Sequence, residues 1–123
     1  MASQAAVDKH RVTAVLVSHN GAVWLPEVVP ALTSQTRPID LITAVDTGSQ
    51  DASTKLLKSA RIPFVSADVE TGFGEAVSLA VGKLPKSVDH EWIWLIHDDC
   101  APAPTALAEL IACLLYTSPS PRD

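Results

Sequence analysis

The chain has 123 residues, 47% of them apolar and 19% charged, a balance that suits one globular domain and argues against two. Its net charge of −5, with nine scattered Lys and Arg, excludes a nucleic-acid binder that works by phosphate attraction. No apolar run approaches the roughly 18 residues of a membrane span, and Met1 to Arg11 lacks the layout of a signal peptide.

Val12 to Val17 is continuous and rich in β-branched residues, as expected of a strand buried on both faces of a parallel sheet. The turn cluster Ser18-His19-Asn20-Gly21 follows, with Asn20 placed to cap a helix that carries Trp24, Leu25, Val28, Val29 and Leu32 at helical spacing. Pro26 suits that helix's first turn, whereas Pro30 predicts a kink or an early end. Leu41 to Val45 reads as a second strand ending at Asp46. The turn Thr47-Gly48-Ser49-Gln50 leads to Asp51, an N-cap candidate for a helix through Leu56, Leu57 and Ser59. Ile62 to Ser66 is a short third strand, and Gly72-Phe73-Gly74 opens a helix with Ala76, Val77, Leu79 and Ala80 toward the core. Trp92 to Ile96 is the fourth strand, its two tryptophans on one side as packing residues, and it ends at His97-Asp98-Asp99. Pro102 and Pro104 start a last helix through Leu107, Leu110 and Ile111. Strands alternating with helices predict an α/β fold with a largely parallel sheet and right-handed crossovers.

The composition changes after Ala112. Cys113 to Asp123 back-translates to a string resembling the transposase adapter of sequencing libraries, and the expectation is an interrupted reading frame with a non-native tail over 113–123. The alternative is a frayed, proline-containing terminus. Residues 1–10 are expected to be a disordered N-terminal segment. Cys100 and Cys113 make no disulfide framework and no metal-ligand pattern, so a reducing cytoplasm is the expected setting.

Polar residues gather where strands end, and in open α/β sheets ligands bind beyond the carboxyl ends of the strands. Asp98 and Asp99 repel one another unless a cation or hydrogen-bond donors lie near. Mg²⁺ or Mn²⁺ held by one or two carboxylates plus substrate phosphates fits such a pair, although a solvated turn in which Asp99 serves helix amides fits as well. His97 reads equally as a metal ligand, a ribose partner or a turn residue. Asp46 can accept a hydrogen bond from a base imide N–H, or simply form its turn. Asp51 reads first as a helix cap. Gly72 and Gly74 allow a backbone to approach a ligand closely, but most such glycines are steric. There is no complete GxGxxG, no P-loop lysine motif and no legible Ser-His-Asp order; His19, His90 and Cys100 lack a partner pattern.

Together, Val12 to Gly21, Gln35-Thr36, the Val45-Asp46-Thr47-Gly48-Ser49-Gln50-Asp51-Ala52-Ser53 stretch, Glu70 to Ala76 and Trp94 to Pro102 resemble the motifs of the inverting family 2 glycosyltransferases, in the family's order. The resemblance covers roughly Arg11 to Ala112 and is nearest to actinobacterial cell-envelope members whose catalytic domain precedes a membrane region. It implies a GT-A (Rossmann-like) fold, truncated at the C-terminus, with residues 11–112 as the donor-binding half. It implies a nucleotide-diphosphate sugar donor, a glycan or lipid-linked acceptor, and Mn²⁺ or Mg²⁺ as cofactor. Residue by residue, Asp46 binds the base, Ser18 and Asn20 begin the nucleotide pocket, and Asp51 supports the turn beside the base. Gly72, His97 and Asp98 also face the nucleotide-sugar, and Asp99 ligates the metal. His97 stands where the family usually has the first Asp of its Asp-x-Asp motif. The catalytic base is expected beyond Ala112, so that the isolated chain is inactive. Membrane contact is expected only through missing parent sequence, at the inner face of the cell membrane.

Two other readings compete. One is a receiver- or phosphatase-like module holding Mg²⁺ for phosphoryl chemistry, in which the acid pair usually follows the first strand and a lysine stands near. The other is a noncatalytic fragment with an unpaired sheet edge.

Overall fold

In the computed structural model, which describes residues 10–84 and 90–117, four strands and four helices alternate. They are β1 (His10–Ser18), α1 (Leu25–Thr33), β2 (Leu41–Thr47), α2 (Ser53–Ser59), β3 (Phe64–Ala67), α3 (Phe73–Val81), β4 (His90–His97) and α4 (Ala106–Thr117). Residues 1–9, most of the expected N-terminal segment, and 118–123 of the expected tail lie outside the described residues. The α4 helix continues past Ala112 to Thr117, as its Cys-Leu-Leu continuation is compatible with helix.

The strands form one sheet in the order β3-β2-β1-β4, and all three pairings are parallel. The chain therefore moves outward from β1 to β3 and then returns to the other side of β1. That reversal puts a topological switch point between β1 and β4.

Alternation along β1 sorts the helices. Ala14 and Leu16 pack with Leu25, Val28 and Leu32 of α1 and Leu57 of α2, while Val12 meets Leu107 and Ile111 of α4. Val15, on the opposite face, packs with Val45 and with Ala76 and Ala80 of α3. Burying each large aliphatic side chain supplies about 1.5–3 kcal/mol, which is why a single strand with both faces covered anchors the sheet. Trp92 and Trp94 pack on the α4 side, as their spacing predicts. The α3 face of β4 is barer: Ile93 and Leu95 are 36% and 47% exposed.

Local chemistry moves several boundaries. Asn20 has φ of 49° and its side chain turns to Gln50, so the N-cap position falls instead on Trp24, which makes no side-chain cap bond. Trp24 is exposed rather than core. Pro30 does not end α1, which runs to Thr33; the Val29 and Pro30 carbonyls accept hydroxyl hydrogens from Thr33 and Ser34 near that end. Ile62 is not strand. Arg61 adopts φ of 61°, its N–H donates to the Lys58 carbonyl, and the Ile62 N–H donates to that of Leu57. These two bonds close α2 with a Schellman motif, and β3 starts only at Phe64. Leu79 is 41% exposed, since Ala76 and Ala80 form the buried line of α3. Pro102 and Pro104 precede α4, where Thr105 donates its hydroxyl to Glu109 at 2.8 Å.

Candidate functional site

Because the strands are parallel, the ends of β1, β2 and β4 share one rim, with Ser18 beside Asp46 and Val17 beside His97. The turn 19–22 after β1 is tied to both neighbours. The His19 N–H donates to Asp98 Oδ2 at 2.9 Å, and the Asn20 N–H to Ser49 Oγ at 2.8 Å. The Gly21 N–H donates to Ser53 Oγ at 2.9 Å, and that of Ala22 to Asp51 Oδ2 at 3.0 Å. In return the Gln50 N–H donates to Asn20 Oδ1 at 2.7 Å. Acidic and hydroxyl side chains far apart in sequence thus converge on one loop.

Asp46 is 3% exposed. Its Oδ2 accepts the Ser49 N–H at 3.1 Å, while its Oδ1 is buried with no hydrogen-bond partner among the described residues. The Ser18 hydroxyl, beside it on β1, is likewise buried and without a partner. Buried polar atoms are nearly always satisfied, so two adjacent exceptions mark a place where a donor and an acceptor are wanting. The turn that follows Asp46 is shaped by Gly48, with φ of 68°; a Cβ there would lie 2.9 Å from the Val69 Cβ.

Asp51 Oδ1 accepts both the N–H of Ser53, at 2.9 Å, and its hydroxyl, at 2.5 Å. The Ser53 hydroxyl bond holds the Asp51 carboxyl below its ordinary range, opposed by desolvation and joined by the Ala22 and Ser53 amides. Asp51 therefore secures the turn, and α2 starts at Ser53 with Ala52 in the cap position.

On the β4 side, the His97 ring stacks on Phe73 with centroids 4.5 Å apart, which brings the start of α3 to the same rim. Gly72 precedes that helix in open space, since a Cβ there would meet nothing within 4 Å. Asp98 lies half-buried against Gly21. Asp99 is exposed and makes no hydrogen bond or ion pair among the described residues. No group of three or more His, Cys, Asp or Glu among those residues is gathered to hold a cation. The donor set therefore fits a metal only as one or two carboxylates completed by ligand phosphates, the pattern Mg²⁺ and Mn²⁺ favour in nucleotide sites.

His19 escapes sequence reasoning. Its Nδ1 lies 2.6 Å from the Thr47 carbonyl, so Nδ1 carries the proton; Nε2, 3.3 Å from Asn20 Nδ2, is left to accept. Its partners Thr47 and Asp98 lie 28 and 79 residues away, and no local signal reports them. Gln35 was likewise visible only as part of a motif. It is buried, donates to the Ala31 and Ala103 carbonyls, and accepts the Leu107 N–H at 3.0 Å, fastening α1 to α4.

The chain matches Glycosyl transferase family 2 over residues 13–116. It is 31% identical over 104 residues to the galactofuranosyltransferase GlfT1 of Mycolicibacterium smegmatis, covering 83% of this chain and 34% of that protein. The glucosyl-3-phosphoglycerate synthase of Mycobacterium tuberculosis, solved with Mn²⁺, UDP and glucosyl-3-phosphoglycerate, superposes with a TM-score of 0.69 at 24% identity, over 91% of this chain and 42% of that one. S. aureus TarS 1–349 with UDP-GlcNAc gives 0.68 at 16% identity, over 85% and 31%. The α/β architecture expected from the sequence is thus the GT-A fold of these structures.

Proposed function

The chain belongs to glycosyl transferase family 2, and from that premise we propose that it forms the donor half of an enzyme that moves a sugar from a nucleoside diphosphate to an acceptor hydroxyl with inversion. The acceptor in this reading is a glycan or lipid-linked glycan. The observation that carries it is the buried Oδ1 of Asp46, without a partner among the described residues, at the rim that also holds Asp99. A base imide N–H is a donor of the kind that oxygen lacks, and the adjacent Ser18 hydroxyl is a second partner for the nucleoside. Asn20 and Asp51 keep the turn in place beside them, while Gly72 leaves room at the α3 start and His97 faces the sugar-phosphate side.

Asp99, aided by the phosphates of the donor, is the residue to hold Mn²⁺ or Mg²⁺. Such an ion, when bound, neutralises the charge that builds on the departing diphosphate. The Mn²⁺ and UDP in the glucosyl-3-phosphoglycerate synthase structure support this choice of probe.

The chain spans about a third of the length of GlfT1. In this reading the carboxylate base that activates the acceptor belongs to sequence beyond Ala112, residues 11–112 are the donor half, and 113–123 are foreign to it. The bare Ile93 and Leu95 face of β4 supports incompleteness, because apolar side chains on a sheet are ordinarily covered. Among the described residues no helix is long and apolar enough to cross a membrane. The phosphoryl-transfer reading is less well supported, since its acid pair would have to share one cation while Asp98 is engaged with the β1 turn.

Thermal unfolding with UDP, GDP or dTDP, each with and without Mn²⁺, tests the proposal. UDP with Mn²⁺ should raise the midpoint more than UDP alone, and Asp99→Asn should remove the Mn²⁺-dependent increment. Absence of any nucleotide response would refute the donor site.

A further inference from the structure

The turn after β1 presents four successive backbone N–H groups, and side chains from elsewhere in the fold take every one: Asp98, Ser49, Ser53 and Asp51 for residues 19 to 22 in order. Consecutive amides ahead of a helix are the usual makings of an anion site. Here two carboxylates and two hydroxyls of the protein already fill it, so the turn is a joint rather than a phosphate cradle. Three of the four partners come from the β2 side. Asp98 alone comes from β4, across the switch point.

Its hold is also steric. A Cβ on Gly21 would lie 2.5 Å from Asp98 Oδ2 and 3.0 Å from its Cβ and Cγ, so the carboxylate rests on the bare Cα of the turn. With one oxygen spent on the His19 amide and the side chain pressed on Gly21, Asp98 is oriented toward the protein.

Resting on the donor-site reading above, we propose that Asp98 is a positioning residue: by gripping His19 and Gly21 it sets the β4 end, with Asp99, at a fixed distance from the β2 turn whose Ser49 N–H donates to Asp46. Base recognition and cation binding are thereby registered to one another, and ligation of the cation falls to Asp99 and the donor phosphates.

Asp98→Asn, Asp98→Ala and Asp99→Asn separate these roles in two readouts, deuterium exchange of the His19 amide by NMR and UDP affinity with and without Mn²⁺. An asparagine oxygen accepts the His19 N–H as the carboxylate does, so Asp98→Asn keeps both the protection and the Mn²⁺ enhancement. Asp98→Ala speeds His19 exchange by about tenfold or more and, with the register lost, cuts the Mn²⁺ enhancement of UDP affinity about tenfold while UDP binding without Mn²⁺ changes little. Asp99→Asn leaves exchange as in the wild type and removes the enhancement. Wild-type His19 exchange in Asp98→Ala overturns the proposal. So does loss of the Mn²⁺ enhancement in Asp98→Asn, which would make Asp98 a metal ligand. If the alanine variant does not fold, the asparagine variant decides. A wild-type chain that ignores UDP in both conditions sinks the donor reading instead, while the exchange comparison still reports on the grip of Asp98.

Discussion

Replacing Asp46 with Asn should move stability and nucleotide affinity in opposite directions. Asp46 Oδ2 accepts the Ser49 N–H, and Oδ1 is buried without a partner among the described residues. An unsatisfied buried group costs on the order of 1–3 kcal/mol, more when charged. Asn keeps an oxygen for Ser49 and puts a neutral amide where the lone carboxylate oxygen was, so the free chain should gain about 1 kcal/mol. A nucleoside base that donates to Oδ1 would then face an N–H₂ group. Losing a hydrogen bond to a charged acceptor costs about 1.5–3 kcal/mol, or roughly ten- to a hundredfold in affinity. Urea denaturation measures the first quantity and calorimetric titration with UDP the second. A destabilised variant that binds UDP as tightly as the wild type would refute the reasoning and leave Asp46 as a turn former.

Gln35→Ala should destabilise the chain by about 2–4 kcal/mol in the same denaturation assay, because it strands the Leu107 amide and two carbonyls in a buried joint. Arg61→Gly should stabilise it by up to about 1 kcal/mol without touching UDP affinity, since a left-handed φ is costly for a residue with a Cβ. Asp51 governs part of the acid limb. Its carboxyl is depressed in the folded state, so the fold binds fewer protons than the unfolded chain, and its contribution is full above the ordinary value of 3.8 and lost as the pH falls below that through the depressed value. Asp51→Asn should flatten that limb in a pH series of thermal midpoints; an unchanged slope would show that Asp51 gains nothing from Ser53.

The alternation of strand and helix, the parallel sheet and the clustering of acids at strand ends were all written locally. Val12 to Val17 declares a doubly buried strand by its unbroken β-branched run, and Asp46, Asp51 and Asp98-Asp99 stand where such strands stop. These signals survive in one dimension because hydrophobic period and turn chemistry involve residues only a few positions apart. Ile62 misled for the same reason: its apolar neighbours read as strand, but hydrogen bonds reaching back into α2 claim it. Asn20 looked like a cap until its oxygen was seen to serve Gln50, 30 residues on.

Which strand lies beside which, and therefore which acid meets which amide, was decided only in three dimensions. The order β3-β2-β1-β4 sets the ends of β2 and β4 on either side of the turn at 19–22. Contact between Asp98 and His19 depends on that adjacency, as do the isolation of Asp46 Oδ1 and the role of Gln35 between two helices. A hydrogen bond between residues 79 apart leaves no spacing to read. It exists because burial of both faces of β1 draws the strands together, and their polar ends are then left to satisfy one another.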